Sequence, residues 1–229
     1  MKFVVATLSA VTLSYAQAQS LPEQITLAAT DWCPFTCAAA QNGKVETKLR
    51  RYFSRLGVTL TVEYYPWVRA VTLAEQGDLD GVVTLSEGES DVLVHGDVPI
   101  HYYQDCFYTR QESDWQYHNI NDLTDMKLGS VDGYSYSREI DSYIRDYPRN
   151  GAQISGVNTV PRLMGMLESG NVDAIIAEKS IAQLWLPTYK IQQSTCLTEQ
   201  PLYVAFNPNR TWVNLAIEGI ESQLGYSKR

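Results

Sequence analysis

Between residues 24 and 224, short apolar runs alternate with longer amphipathic stretches, and that alternation divides the chain into two similar halves. In the first half, Gln24–Ala29 reads as a strand and Glu46–Leu56 as a helix ended by Gly57. Thr59–Tyr64 alternates apolar and polar positions, as a half-buried strand does, and Trp67–Glu75 returns to helical spacing. In the second half, Lys127–Val131 reads as a strand, Ser137–Asp146 as a helix, Ile154–Val157 as a strand and Val160–Glu168 as a helix. Asp173–Ala177 and Pro201–Asn207 follow as strands, and Thr211 to Leu224 as a closing helix. Serial strand–helix–strand units of this kind predict an α/β fold with two lobes.

One segment is written twice. Arg69 to Val83 reads RAVTLAEQGDLDGVV and Arg162 to Ile176 reads RLMGMLESGNVDAII, aligned without a gap. In each copy a helix ends at a glycine suited to the left-handed conformation, a short turn follows, and an apolar run enters a strand. Val82-Val83 and Ala174-Ile175-Ile176 do not alternate, which fits strands covered on both faces. Just past them stand Thr84 and Ser86 in one half and Glu178 in the other. Ligands of open α/β sheets sit beyond such strand ends, so these three are candidate cleft residues.

The chain start adds an address. Lys2 precedes an uncharged stretch from Phe3 to Tyr15, and Ala16-Gln17-Ala18 ends it as a small-x-small cleavage site. Residues 1–18 are therefore expected to be a signal peptide cut after Ala18, which leaves a soluble product. The charge of −8, from 18 Lys plus Arg against 26 Asp plus Glu, argues against nucleic acid or anionic membranes as partners. Four cysteines suit an oxidising compartment and allow three pairings. Cys33 and Cys37 cannot move far apart, which favours Cys33–Cys37 with Cys106–Cys196; a reduced local pair is the alternative.

The ordered set YYPWVRA (64–70), EQGDLDGVV, DLTDMKLGSVDGYSYS (122–137), ESGNVDAIIAE and PLYVAFNP resembles the family 3 extracellular solute-binding proteins, periplasmic proteins that bind polar amino acids. The resemblance runs through the whole mature chain. It implies a type II periplasmic-binding fold, with residues 19–107 and 198–229 in lobe 1, 108–197 in lobe 2, and two hinge strands between. It also implies a Cys106–Cys196 bridge stapling the two crossings. The implied function is capture of a small polar, amino-acid-like ligand by a periplasmic monomer that needs no cofactor. Its partner would be an inner-membrane ABC permease or a sensor.

The same resemblance proposes a ligand set. Asp31, Trp32 and Phe35 follow the first strand, where the family places an acid and a ring. Trp67 and Arg69 open the repeat helix, with Arg69 a candidate fork for a carboxylate. Thr84 and Ser86 would offer hydroxyls and N–H groups to an anionic part, and Tyr134, Ser135 and Tyr136 precede a helix N-terminus that suits an anion. Ser135 or Ser137 has the competing role of helix cap. Glu178 matches the acid that meets a ligand ammonium. One departure stands out: the stretch after the strand reads SEGESD, Ser86 to Asp91, where the family carries a carboxylate-clamping arginine. Glu87 and Glu89 read as a solvated loop.

An enzyme of the same fold, dehydratase- or lyase-like, is the alternative, but no nucleophile elbow, HExxH or phosphate loop is present. His95, His101 and His118 lack metal spacing and read as surface or hinge residues.

Overall fold

A computed structural model describes residues 20–39, 43–156 and 158–224. The expected signal peptide and its cleavage site lie outside the described residues. Among those residues, eleven strands form two sheets, accompanied by six α-helices. The strands are β1 (Gln24–Ala29), β2 (Thr59–Tyr64), β3 (Gly81–Leu85), β4 (Val94–His95), β5 (His101–Tyr103), β6 (Asp105–Arg110), β7 (Leu128–Val131), β8 (Gly151–Ile154), β9 (Ala174–Glu178), β10 (Ile191–Cys196) and β11 (Gln200–Phe206). The helices are α1 (Lys44–Arg55), α2 (Trp67–Gln76), α3 (Arg138–Asp146), α4 (Thr159–Glu168), α5 (Lys179–Trp185) and α6 (Val213–Gln223). No helix among the described residues is long and apolar enough to cross a membrane.

The first sheet runs β2-β1-β3-β11-β4, with β5 paired to β11; the second runs β10-β6-β9-β7-β8. In each, a parallel core of three strands is joined by antiparallel strands at the side where the chain crosses over. Helix α1 buries Val45, Leu49, Tyr52 and Phe53, a single face at helical spacing, against the first sheet. Helix α4 does the same in the second sheet with Val160, Leu163, Met164 and Leu167.

The doubled segment is a doubled piece of structure. Gly77 and Gly170 both take positive φ, +81° and +76°, where α2 and α4 end. The matched aspartates do matched work. Asp80 Oδ2 accepts from the Thr26 amide at 2.8 Å, and Asp173 Oδ2 accepts from the Lys127 amide at 3.0 Å. Each also faces an arginine, Arg210 at 2.8 Å and Arg110 at 3.7 Å. Each aspartate thus ties the start of its repeat strand to the start of the neighbouring parallel strand.

One reading shifts. The strand expected at Ile154–Val157 is β8, Gly151–Ile154: pairing to β7 starts at Gly151, and positive φ at Gly156 and Asn158 turns the chain toward α4. Val157 itself lies outside the described residues. Strands β6 and β10 and helix α5 had no clear periodic signal. The chain passes from the first sheet to the second at Gln104. Cys106, expected on a hinge strand, lies within β6 of the second sheet.

Both disulfides, Cys33–Cys37 and Cys106–Cys196, are present. Cys106 and Cys196 are direct neighbours in the β6–β10 pairing, beside both crossings. Gln104 adds to the staple: its side chain donates to the Leu197 carbonyl and accepts from the Lys179 ammonium, both at 2.9 Å.

The bridge closes a sequence separation of 90 residues. Replacing both cysteines (C106S with C196S) is expected to lower the urea-unfolding free energy by about 4–5 kcal/mol through the entropy of the unfolded chain. A loss below about 1 kcal/mol would mean that strand pairing alone holds the crossings.

Candidate functional site

Strands β1 and β3 of one sheet and β7 and β9 of the other end at the same place, and a cavity lies between those ends. Its empty space is about 550 Å³, mouth included. The loop after β1 supplies Thr30 and Trp32, the start of α2 supplies Trp67, and the end of β3 supplies Thr84, Ser86 and Glu89. From the other side come Tyr134, Ser135 and Tyr136 after β7, and Glu178 at the end of β9. Tyr103 and Asp105 flank the crossing at Gln104 and form the wall between the two groups.

The loops meet above the cavity. Trp32 stands edge-on to Tyr134 with centroids 6.3 Å apart and edge-on to Tyr103 at 5.5 Å. Tyr103 accepts a hydrogen bond from the Ser86 hydroxyl at 3.2 Å and donates to the Ser135 carbonyl at 3.4 Å, which links the two loop sets directly. A Cβ on Gly133 would meet Val68 at 2.7 Å, so only glycine allows the β7–α3 loop to approach α2 this closely.

Three carboxylates line this space, Glu89, Asp105 and Glu178, and a fourth, Asp141, stands behind Ser135 and Tyr136. Glu89, expected in a solvated loop, turns inward: Oε1 accepts from the Trp67 indole at 2.9 Å and Oε2 from the Ser86 amide at 2.7 Å. Burial nevertheless outweighs those two donors and pushes its carboxyl up to about 7, with the negative charge of Asp141 adding to the rise. Asp141, on α3, accepts from the Ser135 hydroxyl at 2.7 Å and the Tyr136 amide at 2.9 Å. Glu178 caps α5, accepting from the Ile181 amide at 2.9 Å and the Ser180 hydroxyl at 2.6 Å.

Asp105 differs from the other three. It is 5 % exposed, directly opposite Glu178 in the β6–β9 pairing, and no described residue donates a hydrogen bond to its carboxylate. Burial first, then the charges of Glu178 and Asp141, raise its carboxyl well above the ordinary carboxylate range. Among the lining residues there is no lysine, arginine or histidine.

Eight of the eleven sequence-derived ligand candidates therefore line the cavity: Trp32, Trp67, Thr84, Ser86, Tyr134, Ser135, Tyr136 and Glu178. The other three do not. Asp31 is exposed and accepts from the Ala38 amide at 2.9 Å, closing the small disulfide loop. Phe35 is buried in the core between Trp32 and His101. Arg69 lies on the solvent side of α2, because Ala70, Val71 and Ala74 occupy the buried face. Sequence reasoning missed Thr30, Glu89, Tyr103 and Asp105. The signal for Asp105 was present as one acid opening the otherwise apolar run DCFYT at the crossing. Of the competing roles for the serines, Ser137 is the cap of α3, accepting from the Ile140 amide at 3.3 Å. Among the described residues, no group of His, Cys, Asp and Glu is arranged to hold a metal ion.

This is the architecture of the two-lobed periplasmic-binding fold, and solved structures agree. An ancestral arginine-binding protein bound to arginine superposes with a TM-score of 0.72 at 15% identity, covering 89% of this chain and 93% of its own. A histidine kinase sensor domain with similarity to periplasmic binding proteins gives 0.72 at 13% identity, over 88% and 91%. The amino acid ABC transporter substrate-binding protein AbpA from Streptococcus pneumoniae, bound to L-arginine, gives 0.66 at 19% identity, over 89% of each chain. No protein-family model and no curated protein sequence matches the chain.

A carboxyl raised to about 7 holds its proton better folded than unfolded, so Glu89 makes the protein lose stability as pH rises from about 4.5 to about 7. Glu89→Gln is expected to flatten this slope. The variant should gain on the parent across that window by up to a few kcal/mol, read as the difference in thermal midpoint between pH 4.5 and 8. Parallel curves would place the Glu89 titration elsewhere.

Proposed function

We propose that this chain is a periplasmic solute-binding protein that holds a small polar solute, bearing a positive group, between its two lobes. The observation that carries this reading is the cavity itself. It is lined from both sheets, roofed by aromatic rings that meet across the lobes, and floored by Asp105, a buried carboxylate with no donor among the described residues. Burial holds this carboxyl protonated, and a cation brought beside it would favour its ionised form. The rings of Trp32, Trp67 and Tyr134 add flat apolar surface and cation–π attraction to the same kind of group.

Capture follows from the connections. Two crossings stapled beside Gln104 permit the lobes to rotate about one line, and ligand contacts from both lobes favour the closed state over the open one. Closure then reports occupancy to a membrane partner. The solved structures with this fold described above are binding proteins and a sensor domain, and the amino-acid ABC transporter protein among them supports delivery to a permease. The kinase sensor supports a second reading, in which the same closure is read by a receptor. In either case the solute is released unchanged.

Asp105 is the residue to test. Glu178 also caps α5, so its replacement mixes ligand loss with a helix penalty of about 1 kcal/mol. Native mass spectrometry of freshly purified protein is expected to show a retained solute, and re-adding it should shrink the radius of gyration in solution scattering. Asp105→Asn should weaken its binding about 30-fold or more, measured by calorimetry. Unchanged affinity in Asp105→Asn, or chemical conversion of the solute, would overturn the proposal.

A further inference from the structure

We infer that the solute taken by this cavity is an organic cation, an ammonium or guanidinium on a small carbon frame, that carries no carboxylate. The inference rests on the solute-binding reading above and narrows it. A ligand carboxylate needs hydrogen-bond donors or a cation on the protein. The lining contains no cationic side chain, and its best-placed donors are already used by the protein's own acids.

On the first lobe the Ser86 amide and the Trp67 indole N–H both donate to Glu89. On the second, the Ser135 hydroxyl and the Tyr136 amide both donate to Asp141. The Ser86 and Tyr103 hydroxyls are used in a chain, Ser86 to Tyr103 to the Ser135 carbonyl, which leaves neutral hydroxyls such as that of Thr84 as the lining's donors. The donors at the end of the first repeat strand are therefore taken by Glu89, and those of the loop after β7 are taken by Asp141 from behind the lining. A carboxylate entering the cavity would compete with Glu89 for its donors and would meet three acids, Glu89, Asp105 and Glu178, with no cation to offset them. Like-charge juxtaposition in a closed site is a strong means of rejecting a ligand.

A cation meets the opposite situation. Asp105 is buried with open acceptor positions, and the faces of Trp32, Trp67 and Tyr134 stand around the same space. Glu89 and Glu178 line the same space, and a cation among these acids favours their ionised forms. The geometry thus selects on two features: a positive charge is required, and a negative one is refused.

Amines and the amino acids that they correspond to make the test direct: agmatine against arginine, putrescine against ornithine, tyramine against tyrosine, each titrated by calorimetry into solute-stripped protein. At least one amine is expected to bind at least tenfold more tightly than its amino acid. Glu89→Gln, compared at pH 8 where Glu89 is ionised, should narrow that gap by improving the amino acid. An amino acid that binds as well as or better than its amine overturns the inference while leaving solute binding intact. If none of the six binds, the solute retained by the purified protein decides, identified by native mass spectrometry and fragmentation. A carboxylate-free amine or guanidine supports the inference, and a carboxylate-bearing or uncharged solute overturns it. With no binding and no retained solute, the solute-binding reading itself fails.

Discussion

The pairing of β6 with β9 and β10 is the constraint on which the rest of this structure depends. It sets Cys106 against Cys196 and Asp105 against Glu178, so the staple and two of the acids are fixed by one register. A shift of one residue would send every side chain of β6 to the opposite face. The disulfide would be lost, and Asp105 would leave the cavity for the interior of the lobe. The covalent link holds the register, and the register places the charge.

Around that wall the two lobes use the same device. Each brings parallel strand ends to the cleft, and each ties its repeat strand to the neighbouring strand with an aspartate, Asp80 or Asp173, backed by an arginine. These aspartates serve construction and leave the cleft to other acids. The acids at the cleft divide again by their partners. Glu89, Asp141 and Glu178 are held by backbone amides and neighbouring donors, whereas Asp105 is left open. Burial raises the Asp105 carboxyl well above the ordinary range, so Asp105 is the acid whose charge state depends most on what enters the cavity.

Much of this was legible along the chain. The helical spacing of Val45, Leu49, Tyr52 and Phe53, the glycine stops, and the doubled block with its non-alternating strands all reflect local chemistry, and they located the two halves and the strand ends of the cleft. Residues on those strand ends, such as Thr84, Ser86 and Glu178, followed at once, because position on a parallel strand fixes which end faces the ligand. Strands β6 and β10 were less legible, since their partners are distant in sequence and their pairing has no local mark.

The sequence by itself determined the two-lobed α/β class, the doubled unit and most of the cavity wall, because periodicity and glycine stops act within a few residues. Only the tertiary structure decided the charge logic of the cleft. Whether Glu89 faces water or Trp67, whether Arg69 reaches a ligand or solvent, and whether Asp105 has a partner all depend on contacts between segments far apart in the chain. Burial and donor count, which set the meaning of a carboxylate, exist only once those segments have met.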